Sequence, residues 1–202
     1  MPRSQSAEPV EARLLEIAGA HVRKFGAART TIVGIARDAG MTHANVYRYF
    51  SSKEELFEEM TASWLRPLEA RLREAADGAD PAYDKLERML IAIHRAYRQK
   101  LESDGALFDL LIDALENGKG SARKHRARVQ ADIQRVVEDG IGSGAFAMND
   151  RRRALSLIFD AAHRFIHPIA MRLDAQTPAQ ALEARFERII ALALRALRSG
   201  RV

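Results

Sequence analysis

"GMTHANVYRYFSSKEEL", residues 40–56, decides how the first part of the chain folds. It sets two tyrosines, an asparagine, an arginine and a histidine within about one and a half helical turns, directly after a glycine. Upstream, "TIVGIARDAG" places Thr30 or Thr31 to cap a short helix and turns Ile32, Ile35, Ala36 and Ala39 inward. Gly40 can take the left-handed conformation that ends such a helix. Thr42 is then placed to cap a third helix, in which Val46 and Phe50 lie four apart and face inward. "SSKEEL" offers a capping box, Ser52 with Glu55, to start a fourth. Two short helices joined by a glycine turn predict a helix-turn-helix, whose second helix enters the major groove of DNA.

The side chains left facing outward suit that task. Asparagine matches the hydrogen-bonding edge of adenine, and arginine matches guanine or a phosphate. Thr31, Thr42 and Lys53 stand at helix N-termini, where free backbone N–H groups and the positive dipole end favour a phosphate oxygen. The predicted DNA-contacting set is Thr31, Thr42, His43, Asn45, Tyr47, Arg48, Tyr49 and Lys53. The plainer reading makes these the solvent face of a small helical bundle.

The longer stretch "TTIVGIARDAGMTHANVYRYFSSKEEL" resembles the N-terminal signature of the TetR family of transcriptional regulators. The resemblance implies an all-α homodimer with a three-helix DNA-binding domain and a helical domain that binds a small effector. In that family the residues matching Thr31, Thr42, Asn45, Tyr47, Tyr49 and Lys53 commonly contact the operator, chiefly its phosphates. Ala44 stands where a glycine is frequent and His43 where lysine or arginine is frequent, so base preference does not carry over from relatives.

The chain as a whole predicts an all-α fold of roughly nine helices, because apolar residues recur three and four apart almost throughout. The first helix starts near Pro9 and stops at Gly26. Pro67 predicts a kink or break near residues 63–66, and Pro168 a bend in a helix spanning Asp150 to Leu173. Residues 9–52 read as the DNA-binding domain and 53–202 as the effector-binding and dimerisation domain. The net charge of +5 favours an anionic partner, although the region up to Leu56 is only mildly basic. The arginine-rich "ARKHRARVQ" and "DRRRAL" read as solvated helix faces. Cysteine is absent, which excludes disulfides, thiolate metal sites and a cysteine nucleophile. No signal-peptide core or membrane-length apolar run is present, so a cytoplasmic location without membrane contact is expected.

An effector pocket between helices needs apolar walls and a few polar groups. The candidates are Trp64, His94, Tyr97, Phe108, Leu111, Phe159 and His163. Asp160, His163 and His167 share one helical face at metal-binding spacing, but a metal site needs a third or fourth ligand, for which His94 or His125 is a candidate, and the HEXXH pattern is absent, so no metal or other cofactor is expected. The last helix, with the one carrying Phe159 and Ile166, predicts a four-helix dimer interface. The leading function is an effector-responsive regulator, most often a repressor in the resembled family, released from a palindromic operator by a small, largely apolar molecule. Two alternatives are a DNA-binding architectural or partner-controlled protein without a small ligand, and a metal-dependent enzyme using Asp160, His163 and His167.

Overall fold

The computed structural model describes residues 7–201, which contain ten helices and no strand. In chain order these are α1 (Ala7–Arg29), α2 (Ile32–Asp38), α3 (His43–Val46), α4 (Lys53–Asp77) and α5 (Ala82–Ser103), followed by α6 (Gly105–Glu116), α7 (Gly120–Gly142), α8 (Arg151–Ile166), α9 (Pro168–Leu173) and α10 (Ala179–Ser199). The expected helix over Asp150–Leu173 is present as α8 and α9. It breaks where His167 turns extended (φ −91°, ψ 119°) and Pro168 has no N–H to give. Pro67 does not break the chain into two helices, since α4 runs helical through it from Lys53 to Asp77.

The chain forms two compact units. Of the described residues, one holds those up to Trp64 together with Asp104–Arg123, and the other holds Leu65–Ser103 with those from Lys124 onward. This division by packing differs from the expected boundary at 52/53, because α6 packs on α1 and the first half of α4 stays with the N-terminal helices.

The first unit is built around Leu14, Ala18 and Val22 of α1, Ile32, Ile35 and Ala36 of α2, and Val46, Phe50, Leu56, Met60, Leu107 and Leu110. Helical geometry in α1 is interrupted at Gly26 (φ 78°), where the sequence predicts the stop. Thr30 follows, fully buried, with its hydroxyl donating to the Gly26 carbonyl at 2.9 Å.

In the second unit α10 packs against α8 and α5. Phe186, Ile190, Leu194 and Leu197 of α10, Leu86, Leu90 and Ile93 of α5, and Ile158 and Phe165 of α8 are all buried in its interior. Arg98 of α5 is also buried. Its guanidinium donates to the carbonyls of Asp174, Ala175 and Thr177 and to Glu102, tying down the turn after α9. A guanidinium has five fixed donors and no acceptor, which suits a turn whose carbonyls lack helical partners.

A second buried polar chain joins α4, α5 and α7. The Tyr97 hydroxyl donates to His125 Nε2 at 2.7 Å, His125 Nδ1 donates to Glu69 at 2.8 Å, and Glu69 accepts from Arg128 at 2.7 Å. His125 corrects the reading of "ARKHRARVQ" as a wholly solvated face. It is only 3% exposed, while Arg123, Lys124, Arg126 and Arg128 around it are exposed. Burial pushes the His125 imidazole below its ordinary range, against the raising effect of Glu69. Burial, and then the Glu69 charge, raise the Tyr97 phenol.

Both the packing and the buried histidine can be tested. A Cβ at Gly140 would stand 2.3 Å from the Phe146 ring. Gly140→Ala should therefore destabilise by ~1–3 kcal/mol in urea unfolding, although alanine is the better helix former. A lowered pKa in the folded state means the unfolded chain takes up the His125 proton first on acidification. Its contribution to stability is then complete above about pH 6.5 and is lost as pH falls below it. Unfolding midpoints between pH 7.5 and 5.5 should fall more steeply for the wild type than for His125→Gln, and equal slopes would refute this.

Candidate nucleic-acid interface

The recognition segment is held from both ends. Thr31 caps α2, its hydroxyl oxygen accepting from Gly34 N–H at 3.1 Å, and Thr42 caps α3 by accepting from Asn45 N–H at 3.3 Å. Between them Gly40 takes φ 68°, a region that L side chains avoid. This conformation lets Met41 N–H reach back to the Ala36 carbonyl at 2.9 Å and close α2. Both threonine hydroxyls accept within the protein, and both residues are exposed, so each retains a proton to donate outward.

Val46 and Phe50 anchor α3, with 0% and 2% of their surface exposed. With those two fixed inward, His43, Ala44, Asn45, Tyr47 and Arg48 stand exposed. The His43 ring meets Tyr47 edge-on at 6.3 Å, one helical turn away, which orders both rings on the outer surface. Tyr49 is half-buried and packs against the core of its unit. Lys53 is also half-buried. Its ammonium donates to the Ala28 carbonyl at 3.2 Å and lies 5.3 Å from the centre of the Phe57 ring, so one of its three donors is committed internally. Seven of the eight predicted contact residues thus lie between Thr31 and Tyr49 on or beside the helix-turn-helix, and Lys53 opens α4.

The capping box at α4 forms only in half. Ser52 Oγ accepts from Glu55 N–H at 3.0 Å as expected, but the Glu55 carboxylate reaches Ser51, accepting from both its N–H and its hydroxyl. These bonds hold the Glu55 carboxyl below the usual carboxylate range.

A contact that the sequence reading missed joins α1 to α2. His21 Nε2 lies 2.7 Å from Asp38 Oδ2, and Arg37 donates to the other oxygen of the same carboxylate at 3.2 Å. The bonds from His21 and then Arg37 hold the Asp38 carboxyl below its usual range. Seventeen residues separate His21 from Asp38, so helical periodicity alone could not pair them.

The seven residues proposed for an effector site divide between the units. Trp64, Phe108 and Leu111 belong to the first, where the Trp64 and Phe108 rings lie 6.4 Å apart. His94 and Tyr97 are buried on α5 of the second. Phe159 is half-buried on α8, and His163 is exposed there with its ring stacked on His167 at 4.6 Å. That exposure takes His163 out of the interior wall expected for it. An open groove of about 820 Å³ runs along α4, α5 and α10, lined by residues that include Arg71, Arg88, Ile91, Arg95 and Arg188, and it contains none of the seven.

The metal-enzyme alternative finds no assembled site. Asp160 accepts from Ser156 at 2.8 Å, and among the described residues no group of three His, Cys, Asp or Glu side chains is placed to hold a metal ion. No helix among the described residues is long and apolar enough to cross a membrane.

Residues 16–60 match the family model described as bacterial regulatory proteins, tetR family, and residues 82–190 match that for a tetracyclin repressor-like C-terminal domain. The chain is 26% identical over 184 residues to an uncharacterized HTH-type transcriptional regulator, YhgD, of Bacillus subtilis (strain 168), covering 84% of this chain and 91% of the relative. It is 34% identical over 83 residues to the HTH-type transcriptional repressor KstR2 of Mycobacterium tuberculosis, covering 41% and 42% of the two chains. The solved structure of that ketosteroid regulator superposes with a TM-score of 0.60 at 22% identity over 97% of each chain. FadR of Bacillus subtilis, solved in complex with stearoyl-CoA, superposes with a TM-score of 0.63 at 18% identity, covering 95% and 99%. The capped and anchored helix-turn-helix and the two family matches agree: this chain belongs to the TetR family of DNA-binding transcriptional regulators, a family of regulators and not of enzymes.

Proposed function

We propose that the protein is a ligand-responsive repressor that occupies a two-fold-symmetric operator as a homodimer and leaves it when a small, largely apolar effector binds the helical domain. The observation that carries the DNA half of this reading is the exposed row His43, Asn45, Tyr47 and Arg48 on a helix pinned by buried Val46 and Phe50. Asn45 is assigned to a base edge, Arg48 to guanine or a phosphate, and His43 and Tyr47 to the groove wall. Thr31, Thr42, Tyr49 and Lys53 are assigned to phosphates, which set register without reading sequence.

Dimerisation is assigned to α8 and α10. Phe159 and Ile189 are half-buried there and Leu192 is 58% exposed, leaving apolar surface for a partner helix pair. A symmetric dimer presents two α3 helices, so the operator half-sites should lie about 34 Å, one DNA turn, or a multiple of it apart.

The effector reading is supported by two fold neighbours, one named for ketosteroid and the other holding stearoyl-CoA. Both names point to large molecules with extensive apolar surface. The interior of the second unit is also largely apolar, with His94 and Tyr97 on α5 among its buried polar groups. Linkage requires that an effector lowering DNA affinity be weakened by DNA to the same extent.

Fluorescence anisotropy on DNA from upstream of the protein's own gene tests the reading. Saturable binding should exceed that to scrambled DNA, and Asn45→Ala should weaken it by ~5–150-fold, the equivalent of about 1–3 kcal/mol. Tyr47→Ala should also weaken binding. Lys53→Ala takes one positive charge away from a phosphate, so it should reduce the slope of log affinity against log salt by about 0.9 for each such site on the operator. Equal affinity for scrambled DNA, from this region and from a wider genomic pool, would overturn the assignment.

A further inference from the structure

His94 lies on the inward side of α5 and is 1% exposed. Its Nδ1 stands 2.8 Å from the Phe165 carbonyl oxygen. A carbonyl only accepts, so Nδ1 carries the proton, and in the neutral ring Nε2 is a bare acceptor. That Nε2 is buried and has no hydrogen-bond partner.

The bond to Phe165 has a structural reason. With α8 broken at His167 and Pro168, the carbonyls of its last turn lack some of the N–H donors a continuous helix would supply. One donor is enough for that task, and an asparagine amide supplies one. The imidazole brings a second nitrogen beside the rings of Phe165 and Phe186, centred 6.2 and 5.2 Å from its own and stacked on each other at 4.8 Å. A buried acceptor left unpaired there costs ~1–3 kcal/mol. One turn further along α5, the Tyr97 hydroxyl is committed to His125, so its proton does not satisfy His94.

We propose that His94 Nε2 is the acceptor that recognises an uncharged hydrogen-bond donor, a hydroxyl or an amide N–H, on an otherwise apolar effector. The inference rests on the effector-binding reading of the second unit and names the chemistry of that site. Phe165 and Phe186 contact the hydrocarbon beside the donor. Ethers and ketones offer only lone pairs, which would face the lone pair of Nε2, so the site discriminates against them.

The test uses an isomeric pair of probes, 1-decanol and 1-methoxynonane, titrated calorimetrically into the wild type and into His94→Asn. The asparagine amide nitrogen can take the place of Nδ1 and keep the bond to Phe165, while Nε2 is removed. The wild type should bind the alcohol about tenfold more tightly than the ether, the worth of one hydrogen bond. His94→Asn should bind the two alike and melt no lower than the wild type. In wild-type protein carrying ¹⁵N-histidine, the Nε2 resonance should move when the alcohol is added and stay in place with the ether, a readout independent of how the variant folds. Equal wild-type affinities, a preference retained in His94→Asn, or an unmoved resonance with the alcohol bound would each overturn the His94 assignment while leaving an apolar effector site standing. Failure of both probes to bind would remove that site and the assignment together.

Discussion

A helix of four residues cannot sustain itself in water, because nucleation fixes several residues before propagation repays the entropy. That constraint explains most of the first unit. Thr42 supplies a cap, Val46 and Phe50 supply buried anchors, and Gly40 takes the one turn conformation that brings α2 and α3 into contact. His21 and Asp38 tie α1 to the end of α2, fixing the platform on which α3 rests. With the inner side so constrained, the outer side is free to carry residues chosen for hydrogen bonding, and His43, Asn45, Tyr47 and Arg48 fill it.

The second unit solves a different problem. Its helices are long enough to be stabilised by packing, and Phe186, Ile190, Leu194 and Leu197 on α10 provide a large apolar interior. Polar groups buried there are costly unless satisfied. Arg98 is satisfied by three carbonyls and Glu102, and His125 by Tyr97 and Glu69. Against those well-paired neighbours, the open nitrogen of His94 is an exception that packing does not explain.

Much of the fold was legible in the sequence because its determinants are local. The caps at Thr31 and Thr42, the glycine turn and the three-and-four spacing of apolar residues each act within a few positions. What was missed depends on contacts between distant segments. The pairing of His21 with Asp38 joins separate helices, and α6 packs with α1 instead of with the helices that follow it. His125 is hidden in sequence by the arginines around it, yet it falls in phase with buried Ala122, Asp132 and Val136 along α7. Tracking that phase would have found it. The choice of Ser51 over Ser52 as partner for Glu55 turns on rotamers, which no local pattern encodes.

The recognition surface makes a claim about DNA sequence that one selection can decide. Fragments of the source genome bound by the wild-type protein would be recovered and sequenced, with no assumption about where the operator lies. If α3 reads base edges in a symmetric dimer, the recovered pool will converge on an inverted repeat whose half-sites are centred about one helical turn, ~34 Å, or a multiple of it apart. A pool with no enriched motif, at a salt concentration where the protein still binds DNA, would show attraction to phosphates alone and would contradict sequence-specific regulation.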